Sequence, residues 1–261
     1  MKPAQFVQFA IIAASLGGIA LRGQTPSEPT MDFTIHAGVA TGHSLWGVPL
    51  QPLRVDSTHY DTVRLARSVG NGITVGLSLT YYPNAHVGYY GDISYVGLSM
   101  DDACSGVHVT TAAHDTLCQS VSGSSLSLGA ITFSGGVVLR VLQMGGVSPY
   151  LRAGAGLALI PRSTLDMSGV PGNTSPSEAI VIDKKGSTLS PMLSLGAGLR
   201  AVVSPGSALR LEASDFITPM RRLQGPVNAL GQGPSDTHYY HHLVLRIGFD
   251  VVLEQKRGRR Y

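Results

Sequence analysis

The chain has 261 residues, of which only 13% are charged, against about 25% in a typical soluble domain, too few to coat an ordinary soluble surface. Beyond the first residues no apolar run reaches the about 18 residues of a spanning helix, because Gly, Ser or a charge interrupts every candidate. The net charge of +3 owes much to the run "KRGRR" and so carries no indication of nucleic-acid binding.

In chain order, residues 1–23 read as an export signal. Lys2 gives a positive start, "FVQFAIIAASLGGIAL" an apolar region of suitable length, and Ala20 and Gly23 offer small residues for cleavage. No Cys stands near that point to accept a lipid. From residue 24 to 253 the pattern changes to alternation. In "ITVGLSLTYY", Ile73, Val75, Leu77, Leu79 and Tyr81 share one face of an extended strand and Thr74, Gly76, Ser78, Thr80 and Tyr82 the other. Strands are expected at about 32–42, 71–83, 86–99, 125–141, 148–161, 188–203, 207–218 and 239–253, eight in all. Short turns, "PNAH", "LQMGGVS" and "SPGS", alternate with four long polar segments at about 43–70, 100–124, 162–187 and 219–238. Residues 254–261 form a basic tail.

Eight alternating segments with short turns on one rim and long loops on the other predict an all-β, antiparallel, up-and-down transmembrane barrel, its turns periplasmic and its loops extracellular. The polar face of each strand is mostly Gly, Ser, Thr and Ala. Small residues suit the interior of an eight-stranded barrel, which is only just wide enough for side chains, so the apolar face is assigned to lipid. Phe33, Tyr81, Tyr89 and Phe249 then form an aromatic girdle near the turn side, with Tyr239, and Tyr95 as a further candidate, toward the loops. The pair Gly154-x-Gly156 lacks the third Gly and the helix of a nucleotide-binding loop and is read as wall structure.

Alternation points Asp92, Arg140, Arg152, Arg200, Arg210, Glu212, Arg246 and Asp250 inward. Charges in so narrow a lumen need partners, which predicts an ion-pair network that plugs the barrel. A surplus of arginine leaves an anion path as the alternative. Cys104 and Cys118, both in the second long segment of an exported chain, predict a disulfide. His238, His241 and His242 do not share a face, so no metal site is expected. His36, His43, Ser44, His114 and Asp115 are the residue types of a hydrolytic site, but no nucleophile motif accompanies them.

Through "PYLRAGAGL", "SLGAGLRAV", "LRLEASDF" and "HLVLRIGFDVVL", the chain resembles the small eight-stranded outer-membrane β-barrel proteins of Gram-negative bacteria, the group similar to OmpA, OmpX and OmpW. The resemblance implies an outer-membrane location, a monomer surrounded by lipid, no cofactor, and a structural or surface-interaction role in which the loops meet extracellular ligands. A narrow OmpW-like channel for small solutes is the alternative, and an outer-membrane enzyme is a third reading.

Overall fold

The computed structural model describes residues 29–253 apart from 124, 143–145, 162, 172–175, 184–188 and 205. The signal at 1–23 and the tail at 254–261 lie outside the described residues. In chain order the elements are β1 (Thr30–Ala40), β2 (His43–Arg54), β3 (Tyr60–Val69), β4 (Gly72–Tyr82), β5 (Val87–His108), α1 (Ala112–Ser122), β6 (Ser125–Arg140), β7 (Val147–Leu159), β8 (Met167–Gly169), β9 (Glu178–Val181), β10 (Leu189–Ser204), β11 (Ser207–Leu223) and β12 (Ser235–Leu253).

Eight of these close a ring. β1 pairs with β4, then β4 with β5, β5 with β6, β6 with β7, β7 with β10, β10 with β11, β11 with β12, and β12 returns to β1, all antiparallel. Closure removes the unpaired edges that an open sheet would present to lipid. No helix among the described residues is long and apolar enough to cross a membrane; in this chain the strands do so.

The alternation of residue types becomes an alternation of exposure. On β4, Ile73, Val75, Leu77, Leu79 and Tyr81 are exposed while Thr74, Ser78, Thr80 and Tyr82 are buried. The same split holds for Leu193, Leu195 and Leu199 against Met192, Ser194 and Arg200. Leu195 is 55% exposed and Arg200 8%, the inverse of a soluble protein. At the rise and the roughly 40° tilt usual for such barrels, the run from Ile73 to Tyr81, whose alternate residues are exposed, corresponds to an apolar belt about 23 Å tall, close to the thickness an outer-membrane barrel presents.

The inner wall is shaped by where Cβ atoms are missing. A Cβ on Gly154 would stand 2.0 Å from the Tyr90 hydroxyl, and one on Gly198 would stand 2.5 Å from the Tyr150 ring. Those two glycines make room for two inward tyrosines, so the Gly-x-Gly of β7 is a matter of packing.

The long segments differ from expectation. Residues 43–70, read as a polar loop, are the hairpin β2–β3, and β3 pairs with the upper part of β5, which continues to His108 instead of ending near 99. Residues 100–124 hold that extension and α1; 162–187 hold the small hairpin β8–β9; 219–238 are largely the upper ends of β11 and β12, paired as far as Leu223 with Ser235. These pieces share one buried apolar cluster with the upper lumen, from Val96, Met192, Phe216 and Val244 in the barrel to Trp46, Leu65, Leu117, Met167 and Val181 above it. The loops thus form a folded cap over the mouth.

Candidate functional site

Two layers of charge fill the lumen, each assembled from several strands because every second residue points inward. On the turn side, Asp32 lies 3.1 Å from Arg140 and 3.4 Å from Arg200. Asp250 lies 2.9 Å from Arg200 and 3.1 Å from Arg210 and also accepts a 2.8 Å hydrogen bond from Thr34. Arg140 stacks on the Tyr82 ring at 3.4 Å.

At mid-height, Asp92 and Glu212 are bridged by two arginines. Arg152 reaches Asp92 at 3.0 Å and Glu212 at 3.3 Å; Arg246 reaches Asp92 at 3.5 Å and Glu212 at 3.2 Å. Hydroxyls complete the carboxylates. Ser94 donates to Asp92 at 2.5 Å, and Ser214 and Tyr150 donate to Glu212 at 2.6 and 2.8 Å. His36 lies 3.1 Å from Asp92, and Arg152 stacks on Tyr90 at 3.7 Å. Buried charges are tolerated where each is paired and hydrogen-bonded in this way.

All eight lumen charges marked in the sequence therefore stand inside the ring and within reach of opposite charges. Asp32 was not among them, although Phe33 and Ile35 point outward on either side of Thr34 and the alternation places Asp32 inward with Thr34 and His36. Its inclusion brings the lumen count to four carboxylates against five arginines among the described residues. Between the two layers is a cavity of about 10 Å³, room for about one water.

Above the charges the lumen turns apolar and aromatic. His43, at the start of β2, stacks on Tyr240 with ring centroids 4.7 Å apart and meets His242 at 4.5 Å. Burial, and then the positive fields of His238 and His241, hold the His43 imidazole below its ordinary pKa of 6.5. The Tyr240 hydroxyl donates to the Leu45 carbonyl, and the Trp46 indole N–H donates to the Thr164 carbonyl at 3.0 Å. Gln51 acts as an extra peptide link, accepting from Val227 N–H at 2.7 Å and donating to Val227 O at 3.1 Å. These bonds tie the β2–β3 hairpin down over the mouth.

Within the cap, Arg67 and Asp102 form a buried two-pronged pair at 2.5 and 2.7 Å. Asp61 receives the hydroxyls of Thr111 and Thr110, both of their backbone N–H groups, and the His114 ring. The Thr111 hydroxyl leads the set of donors that holds the Asp61 carboxyl well below the usual range. α1 has no side-chain cap of its own, so Asp61 on β3 supplies the anion at its N-terminus. α1 is also held by the disulfide Cys104–Cys118, with Cα atoms 4.8 Å apart. Cys104 belongs to the β5 extension and Cys118 to α1, so the bond joins strand to helix.

The residues weighed for hydrolysis are dispersed. His36 is in the lumen network, His43 at the mouth, Ser44 exposed on β2, His114 against Asp61, and Asp115 beside Gln119 on the outer side of α1. His241 faces outward against Asp215 at 2.6 Å, while His242 points in. No group of three metal-ligating side chains is present among the described residues. Of the aromatics, Tyr81 pairs with Tyr89 across the 83–86 turn, Phe249 neighbours Ile35 and Leu209, Phe33 is half-buried on the same outer face, and Tyr239 is exposed near the loop rim. Tyr95, also outward, lies over the bare backbone of Gly97 and Gly129.

No family model matches the chain, and no curated protein matches it. Among solved structures it is similar to Neisserial surface protein A, at 13% identity over 87% of this chain and 99% of that one, with a TM-score of 0.43. It is also similar to OprG from Pseudomonas aeruginosa, at 12% identity over 88% and 99%, TM-score 0.48, and to Ail of Yersinia pestis, at 14% over 87% and 100%, TM-score 0.38. Its fold is that of the small eight-stranded outer-membrane barrels. That statement rests on the closed ring and its apolar belt, which fit the bacterial outer membrane.

Proposed function

We propose that this protein is an integral outer-membrane anchor, monomeric, that displays a folded, disulfide-braced cap at the cell surface for interaction with an extracellular ligand, and that its barrel is closed to solutes. Residues 1–23 serve as its export signal, and the five girdle aromatics, Phe33, Tyr81, Tyr89, Tyr239 and Phe249, set its depth in the bilayer. The observation that carries the reading is the lumen. Two layers of paired charge block it and an apolar seam ties the cap across its mouth, so the chain invests its buried polar groups in closure. The dispersed hydrolytic candidates form no nucleophile–base pair, and no catalytic role is assigned.

The test is reconstitution. The mature chain should fractionate with outer membranes, shift in apparent mass on heating in detergent, and give little or no steady conductance in a planar bilayer, while protease added to intact cells cuts within the cap. Free passage of anions would replace this reading with the narrow channel.

A further inference from the structure

The turn-side layer is unbalanced. Arg140, Arg200 and Arg210 share two carboxylates, and Asp250 alone serves both Arg200 and Arg210. The mid-height layer has two arginines for two carboxylates, with His36 beside them. Among the described residues one positive charge is therefore surplus. The cavity of about 10 Å³ lies between the layers, lined in part by Arg210, Arg152, Arg246, His36, Ser78 and the Glu212 carboxylate. Three of these residues carry a buried polar atom with no hydrogen-bond partner among the described residues: His36 Nδ1, Ser78 Oγ and Arg246 Nε.

A positive surplus and unmet polar atoms around one small space have a common solution. Water would satisfy the donors and leave the charge, which is costly in a medium of low polarisability. Sulfate or phosphate would balance the charge but is too large for a space that admits about one water. Glu212 does not oppose an anion strongly, because two arginines and two hydroxyls already engage its oxygens. We propose that the lumen binds a single monatomic anion, chloride under ordinary conditions, between Arg210 and Arg246 and beside His36 and Ser78. The site rests on the closed lumen proposed above, since an open one would exchange ions freely.

Protein refolded with bromide as the sole halide and crystallised should show one anomalous peak in the lumen, within hydrogen-bond distance of Arg246 or Ser78. In the same preparations the thermal midpoint should rise with halide concentration relative to sulfate at matched ionic strength. Ser78→Asp, which tethers a carboxylate in place of the ion, should keep a midpoint near that of wild type and lose the halide dependence. Bromide absent from the lumen of a well-ordered crystal overturns the proposal, whatever Ser78→Asp does. Conductance separates the two failures. A conducting barrel refutes closure, whereas a non-conducting barrel without bromide refutes only the anion.

Discussion

The lumen and the cap are both interiors, and they are built from opposite materials. The lumen is walled by small residues and filled by arginines, carboxylates and tyrosines; its order comes from charge paired with charge. The cap is filled by Trp46, Val48, Val63, Leu65, Leu117, Val121 and Met167, and among the described residues its most deeply buried ion pair is Arg67 with Asp102. The difference follows from where each one's apolar surface can go. A barrel strand gives its large apolar side chains to lipid, which leaves the polar face for the inside. The cap stands in water and must bury its apolar residues inward by the ordinary hydrophobic effect. One chain reverses its inside–outside rule at the membrane rim.

The comparison breaks most sharply at Glu212. Glu212→Ala leaves Arg152 and Arg246 with Asp92 alone and deprives the Tyr150 hydroxyl of its acceptor. Breaking a buried pair commonly costs about 3–5 kcal/mol, so urea unfolding of the barrel in lipid should shift to markedly lower concentration. The cap should be cut by protease no faster than in wild type under native conditions, because the apolar cluster that holds it does not include the lumen charges. If Glu212→Ala unfolds as wild type does, the lumen charges are not what closes the barrel.

A core substitution in the cap should act in the reverse manner. Leu65 is fully buried, and Leu65→Ala should cost about 2–5 kcal/mol, read as faster proteolysis and faster amide exchange in β2, β3 and α1. The heat-shifted gel mobility of the barrel should not change. A barrel that unfolds together with this variant would show that the shared apolar cluster couples the regions more tightly than the division into two interiors allows.

The disulfide sharpens the same division. Its loop spans a sequence separation of 14, for which cross-linking contributes about 3 kcal/mol. Replacing Cys104 and Cys118 with Ser should loosen α1 from the β5 extension, visible as protease cleavage near 110–123, and leave the strand ring intact. Two free thiols in protein purified without reductant would remove the brace altogether.

The ease with which each interior could be read from the sequence follows from the same physics. Strict period-two alternation marks inward charges, so Arg152, Glu212 and Asp250 could be placed before any pairing was known. Who meets whom depends on register across eight strands, which alternation does not contain, and Asp32 was missed at a strand end although its parity was legible. The β2–β3 hairpin escaped for a different reason. Its register shifts between Ser44 and Trp46 and again between Val48 and Gln51, so the alternation slips twice within a dozen residues, and Pro49 and Pro52 read as loop. α1 buries only Leu117, Cys118 and Val121, too narrow a stripe to stand out from a polar segment.

The smallest expected effect lies at the joint between the two interiors. His43 belongs to the cap hairpin and packs on Tyr240 and His242 of β12, with His238 and His241 nearby and Asp215 engaged by His241. Its folded-state pKa is lowered from 6.5, chiefly by burial. The unfolded or detached segment therefore binds more protons than the docked one as pH falls below about 6.5, and docking weakens over that range. Asp61 works in the opposite sense. Its depressed carboxyl is charged in both states at such pH, and its contribution is lost only as pH falls through and below 3.8, so it does not mask the histidine. Amide exchange in β2 should thus be faster at pH 5.5 than at 7.5, with barrel strands unchanged. His43→Phe keeps the ring contact with Tyr240 and removes the His43 proton, and it should reduce that difference. If the difference persists undiminished in His43→Phe, the pH-sensitive group between cap and barrel is one other than His43.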